Sequence, residues 1–240
     1  ASRIQMGMGV RAAGVYDGHY GSDPGLAQEA ARGAFPIPYG FNRSYTAEYN
    51  RASFILDSRR PRPAPGSGLL VEVQAEQATE IERSPAAGWI RYRGTAGGYL
   101  DLNQRGRVLG LAVTAIFADP TGDQPVPFTE LATLGGDGPM RGYYPGRLVD
   151  RSAAAATLHY LWPIGPWLGG SLEGGVGNVW GEHLQGFRAA QQRFSGALGI
   201  SSLTPSDYPI ELIFGIGSEP FDRGGSIDFF RVALSVNHGF

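Results

Sequence analysis

Residues 3 to 13 read RIQMGMGVRAA, with Ile4, Met6, Met8, Val10 and Ala12 in one alternate set and Arg3, Gln5, Gly7, Gly9 and Arg11 in the other. A two-residue period is the signature of a strand, because successive side chains there point to opposite faces. GLLVEVQAEQ repeats it, setting Leu69, Val71, Val73 and Ala75 against Leu70, Glu72, Gln74 and Glu76. RVLGLAVTAIFAD sets Leu109, Leu111, Val113, Ala115 and Phe117 against Val108, Gly110, Ala112 and Thr114. Further strand-like runs cover 45–58, 87–102, 152–164, 166–180, 192–202, 207–218 and 227–240. Soluble strands centre on about 5–6 residues, whereas a tilted strand needs roughly 9–11 to cross a bilayer. Runs this long, greasy on one side and polar or very small on the other, predict an all-β fold. The expected architecture is a transmembrane antiparallel β-barrel of about 10 strands, with 12 allowed because bacterial barrels are even-numbered.

The connections fit the same architecture. Residues 17–44 and 119–151 are long and rich in Gly and Pro, while NQRG, PIGP and TPSD are short. Outer-membrane barrels have long loops at one end and short turns at the other. Aromatics such as Tyr45, Trp89, Tyr160, Trp162 and Trp180 fall near strand ends, where interfacial girdles lie. The last run places Phe230, Val232, Leu234 and Val236 on one face and ends on Phe240, which looks like an outer-membrane insertion signal. The whole chain, 1–240, reads as one barrel domain.

Composition removes other classes. There is no Cys, so disulfide frameworks and thiolate metal sites are out. A net charge of -2 without a basic block argues against nucleic acid as a partner. No run approaches the ~18 apolar residues of a transmembrane helix. His19, His159, His183 and His238 are scattered, with no nucleophile or carboxylate at a telling spacing. GSGLL and GGVGNVW do not open a helix after a strand, so no nucleotide site is indicated. The expectation is therefore a non-enzyme with no cofactor and no metal.

One stretch lacks either period: LGGDGPMRGYYPGR, residues 134–147. Followed by LHYLWPIGPWLGGSLEGGVGNVW, it resembles the outer-membrane assembly and secretion barrels related to BamA, TamA and FhaC. Those barrels carry an Arg-Gly-aromatic tripeptide on a long loop folded into the lumen. Arg141, Gly142 and Tyr143 match the tripeptide, and Leu134, Gly135 and Gly136 match what precedes it. FILDSRRPRPAPGSGLLVEV resembles the family's Asp-x-Arg, Pro, Gly segment, with Asp57, Arg59, Pro65 and Gly68 on the matching positions. GGVGNVW stands where the family has Phe-x-Asp-x-Gly, with Gly177 on its glycine, and Phe240 matches the terminal aromatic. The motif aspartate falls on Gly175, and His159 and Leu161 replace the charges of a lumenal Glu-Tyr-Arg. The resemblance implies a short member without POTRA domains, because sixteen strands and such domains do not fit into 240 residues.

A guanidinium inside a lumen needs carboxylates that match its planar fork. Glu173, on the same strand face as Gly175 and Gly177, is the leading partner for Arg141, and Glu72, Glu76 and Asp101 are the other candidates. Gly175 and Gly177 on one strand and Gly110 and Ala112 on another are expected to make room for residues 119–151. The resemblance implies a barrel that assists assembly or transport of a polypeptide at the outer membrane of a Gram-negative bacterium. Its route would be the lumen or a weak seam between residues 4–16 and 229–240, where Gly7, Gly9 and Gly239 thin the packing. The alternative is a plugged structural or partner-binding barrel in a larger complex. Expected partners are the lipid bilayer, lipopolysaccharide, and an outer-membrane or periplasmic protein.

Overall fold

The computed structural model describes residues 2–14, 26–33, 36–41, 44–60, 66–82, 87–202 and 210–236. Its main element is a ten-stranded antiparallel sheet made of β1 (Ser2–Ala13), β2 (Tyr45–Asp57), β3 (Gly68–Glu80), β4 (Gly88–Asp101), β5 (Val108–Pro120), β8 (Ser152–Pro163), β9 (Leu168–Trp180), β10 (Arg193–Ser202), β11 (Ile210–Ser218) and β12 (Ile227–Val236). Each strand pairs with its successor in that order. Two short strands, β6 (Ala132–Leu134) and β7 (Leu148–Asp150), form a separate ribbon within the β5 to β8 connection. The ten long runs marked by alternation are thus the ten strands of the sheet. The described residues form twelve strands, but the extra pair belongs to the loop and not to the sheet.

The predicted loop at 119–151 begins later, since Asp119 and Pro120 still pair with Ile90 and Trp89. It is also ordered throughout: a 3-10 turn at Phe128–Glu130, then the β6/β7 ribbon with residues 135–147 as its tip. Of the first long connection, Leu26–Ala31 forms a short helix, α1. The TPSD turn, Pro65, His19, His238, Gly239 and Phe240 lie outside the described residues.

Alternation gives the sheet two chemically opposite faces. Leu69, Val73, Leu111, Val113, Leu158 and Leu172 are all exposed on one of them. The other carries the buried residues, which form two clusters. Tyr45, Tyr49 and Trp89 pack with Val126 of the loop, and Ile116, Ala153 and Ala155 pack with Leu134, Met140, Tyr143 and Leu148 of the loop. The core therefore lies between the sheet and its own long connection. Burying apolar area there at about 25 cal/mol per Å² holds the loop onto one face.

That arrangement forces the sheet to curl. The Glu130 carboxylate accepts the hydroxyls of Tyr45 and Tyr49 on β2, at 3.2 and 3.0 Å. Six residues later the Gly136 carbonyl accepts Arg231 Nη1 of β12 at 2.6 Å. In a flat sheet β2 and β12 would stand roughly 38 Å apart at ~4.8 Å per strand, while six residues reach at most about 21 Å. The two ends must bend towards each other around the loop. Among the described residues β1 nonetheless pairs with β2 alone and β12 with β11 alone, so the two edges are not joined.

Candidate functional site

The strand register builds a trough for the loop tip. Across the covered face, one transverse row reads His159, Glu173, Ala197, Gly215, Arg231, and the next reads Thr157, Gly175, Ser195, Gly217, Phe229. Both rows are small at β10 and β11 and large at their ends. Period two puts Gly215 and Gly217 on the same face as Glu211, so β11 supplies both the floor and a carboxylate.

The tip crosses this trough strand by strand. Met140 lies over β9, where a Cβ at Gly175 would be 3.3 Å from its sulfur. The Arg141 amide donates to Glu173 Oε1 at 3.2 Å, and the Gly142 amide to Ser195 Oγ at 2.8 Å. Gly142 presses so closely on β11 that a Cβ there would sit 1.9 Å from the Ile216 carbonyl oxygen. Only glycine fits this contact, and Gly215 beneath is equally constrained: its Cβ would be 2.8 Å from Gly142 Cα. The Tyr143 ring lies over Gly217 and its single hydroxyl proton is shared between the carbonyls of Ser218 and Phe194, at 2.5 and 3.0 Å. Burial raises this phenol above its ordinary pKa against the opposing influence of Ser218 and Arg193, so it stays a neutral donor. Tyr144 reaches the last strand, donating to the Phe230 carbonyl at 3.2 Å.

The Arg141 side chain makes the strongest contact of the tip. Nη1 and Nη2 donate to Glu211 Oε1 and Oε2 at 3.1 and 2.6 Å, a parallel fork with both side chains about nine-tenths covered. Burial works against the charge, but the hydrogen bonds and charge of Glu211, with Glu173 and Asp137 adding, raise the Arg141 pKa above its ordinary value. Ser171 supports Glu211 with a 3.3 Å hydrogen bond. From β12, Arg231 Nη1 donates to the Gly136 and Arg141 carbonyls, at 2.6 and 3.0 Å, closing the tip from the other side.

Several expectations about partners need correction. The guanidinium pairs with Glu211 and not with Glu173, which takes the backbone amide of Arg141 and faces His159 Nδ1 at 3.4 Å. Glu76 is held by Arg11 and Arg51. Asp101 accepts the amides of Asn103 and Gly106 in the β4 to β5 turn. Glu72 sits across from Ile55 and Thr95 on β3. These three stand on the opposite side of the sheet order from β11, so the register never brings them to Arg141. The expected room also differs. Gly175 does admit Met140, but Gly177 abuts Ala154 and Ala155 of β8, and Gly110 is filled by the Tyr99 ring. Glu211, Gly215, Gly217 and Ser195 are absent from the expected set, although Glu211, Gly215 and Gly217 at even spacing in IELIFGIGS, hence on one strand face, are a readable signal.

The second motif forms its own small knot at the far end of β2 and β3. Arg59 Nε and Nη2 donate to Asp57 Oδ1 and Oδ2, both at 3.0 Å, and Arg59 covers the Tyr99 ring at 4.8 Å. Gly68 is needed because a Cβ there would be 2.6 Å from Arg59 Cα. Of the terminal run, Phe230, Val232 and Leu234 are exposed on the outward face. The fold also brings Asp119 to the adjacent pair Glu182 and His183, across 64 positions from Asp119 to His183. Arg151 bridges the two carboxylates, to Asp119 at 3.4 Å and to Glu182 at 3.0 Å, and His183 Nε2 lies 2.9 Å from Asp119.

A tip with this tripeptide, docked across four consecutive strands, can be compared with known families. The model of the Omp85 superfamily domain matches residues 18–230, most of the chain. The chain belongs to the Omp85 superfamily. No curated protein matches its sequence. Omp85 proteins are outer-membrane proteins, and the superfamily is in general one of protein insertion and translocation. In this Omp85 chain, then, the Arg-Gly-Tyr tip lies against the covered face of the sheet. Its wall carboxylate is Glu211 on β11, and the position of the usual motif aspartate is a glycine that makes room for Met140.

Proposed function

We propose that this Omp85 chain is a single transmembrane β-barrel domain, residues 1–240, in the outer membrane of a Gram-negative bacterium. It assists the assembly or transport of a polypeptide there, without catalysing a covalent step. The docking of Arg141, Gly142 and Tyr143 across β9 to β12, the last of which pairs with β11 alone among the described residues, is the observation that carries this reading. The exposed apolar face supports the membrane placement, since patches of this extent on a water-facing protein would aggregate. Lipid and lipopolysaccharide would cover that face, and an outer-membrane or periplasmic protein would be the macromolecular partner.

The test is the folding rate of a second outer-membrane barrel into liposomes with and without this protein, followed by heat-modifiable gel mobility. Acceleration by the native chain that Arg141→Ala abolishes is expected. Equal rates in all three samples would defeat the reading. One observation favours a plugged, structural barrel instead: the loop is fastened at both ends, to Tyr45, Tyr49 and Arg91 through Glu130 and to Glu211 through Arg141. A permanently closed single-channel trace with unchanged folding rates, and a protein partner retained in mild detergent, would select that reading.

A further inference from the structure

At the end of the sheet where β2 turns into β3 and β4 into β5, the outward face carries a groove of about 540 Å³ whose lining includes Leu69, Gly98, Leu100, Leu109, Leu111 and Leu158. Register explains its shape. One transverse outward row reads Leu69, Gly98, Leu111, Leu158, and the next reads Leu100, Leu109, Tyr160. All five leucines are exposed. Gly98 is the gap among them, because a Cβ there would meet Leu69 Cδ2 at 3.7 Å and nothing nearer. The volume falls within the roughly 300–1,000 Å³ of small-ligand sites.

Positive charge and aromatic rings stand at the mouth of this groove. The β4 to β5 ladder continues past the strands, with the Leu102 amide donating to the Arg107 carbonyl at 2.8 Å, so period two sets Arg107 on the outward side with Leu109 and Leu111. Arg60 follows Leu56 and Ser58 in the same way, its amide donating to the Ser67 carbonyl at 3.1 Å. Both arginines are exposed, and neither has an ion-pair partner among the described residues. The carboxylates of this end belong to the inward set, where Asp57 holds Arg59 and Asp101 holds turn amides. Tyr160 lies opposite Leu109 and stacks on Trp162 at 5.4 Å. Short turns mark the periplasmic end of an outer-membrane barrel, and Tyr and Trp there sit at headgroup level. A guanidinium at that depth finds its match in a phosphate.

We propose that this groove is a binding site for one anionic phospholipid of the periplasmic leaflet, its phosphate held by Arg107 and Arg60 and one acyl chain lying over Gly98 between the leucines. The two arginines stand three strand spacings apart, roughly 14 Å at ~4.8 Å each, so they bracket one headgroup from opposite sides. Trp162 and Tyr160 border the same headgroup on the β8 side. Elsewhere the outward face offers lipid a greasy surface, but here a notch for the chain and unpaired cations for the phosphate coincide. This inference rests on the membrane placement above and not on what the barrel acts upon.

Trp162 reports on the site. Trp89 and Trp180 are buried, and Trp167→Phe removes the other exposed indole. In phosphatidylcholine liposomes, quenching of this protein by brominated phosphatidylglycerol is compared with quenching by brominated phosphatidylcholine. The anionic lipid should quench at a mole fraction on the order of twentyfold lower, about fivefold for each arginine, and Arg107→Gln or Arg60→Gln should each remove its share. Gly98→Leu fills the notch and should abolish the preference. Gly94→Leu, at an outward glycine of the same strand with open space around it, should leave the preference intact. Equal quenching by the two lipids, a preference that survives both arginine variants, or equal effects of Gly98→Leu and Gly94→Leu would overturn the site. Heat-modifiable mobility verifies that each variant is folded and inserted. A native chain that never enters the liposomes would instead defeat the membrane placement, and no readout here uses a polypeptide substrate.

Discussion

Replacing Arg141 by alanine removes one partner of a pair whose side chains are 11% and 7% exposed. Glu211 would keep the Ser171 hydroxyl, at 3.3 Å, a weak replacement for a guanidinium fork. Breaking a buried ion pair by deleting one side costs about 3–5 kcal/mol, because the abandoned charge stays desolvated. The cost falls on loop docking first, since the ladders between strands do not involve Arg141. At 1.4 kcal/mol per decade, the undocked state should become roughly a hundred- to several thousandfold more populated. Hydrogen exchange of a peptide covering 134–147, in the folded protein in micelles, reads that population directly, and the Gly142 amide on Ser195 is the most informative proton. Glu211→Ala should match Arg141→Ala, and the double variant should be less than additive by several kcal/mol. Glu173→Ala removes one hydrogen bond to a backbone amide, so about tenfold faster exchange is expected. Additive behaviour of Arg141→Ala and Glu211→Ala, or a larger effect for Glu173→Ala, would refute this assignment of the pair.

Three further outcomes follow from distances already given. Gly142→Ala should undock the tip as severely as Arg141→Ala, because its methyl would fall 1.9 Å from the Ile216 carbonyl oxygen; the same exchange measurement checks it. Tyr143→Phe keeps the ring on Gly217 but loses two carbonyl acceptors, and should cost about 1–2 kcal/mol in urea unfolding from micelles. Gly68→Ala should weaken the β2 to β3 turn through its clash with Arg59 and raise protease sensitivity near that turn, while exchange of 134–147 stays native.

How much of this was legible in the sequence depends on the range of the interaction. Period two reports which face each side chain takes, so the ten sheet strands and the outward position of Leu111 or Val232 could be read locally. The ribbon β6/β7 could not, because three residues such as Ala132–Leu134 are too short to display a period. The tripeptide at 141–143 was visible as a resemblance, but its partner was not. Choosing between Glu173 and Glu211 requires knowing that the tip crosses to β11, which depends on register across three strand pairs. Glu173 was placed beside the tip, and the error lay in which group of Arg141 it receives. Gly110 misled because an inward glycine also serves a neighbouring ring, here Tyr99 on the adjacent strand.

The sheet is a pure meander on its own: every strand contacts the strand before it, and nothing in those ladders fixes how tightly the ribbon winds. The β5 to β8 segment supplies the stitches that reach furthest across it, from β2 at Glu130 to β12 at Gly136. It acts as a mandrel, and the sheet takes its radius from the segment it is wound on. Such a winding favours an order of assembly in which residues 121–151 seat as β9 to β12 wrap past them. Variants that loosen the tip should therefore slow folding as well as destabilise the product, and shortening the mandrel should give a narrower or open winding with the same ten strands.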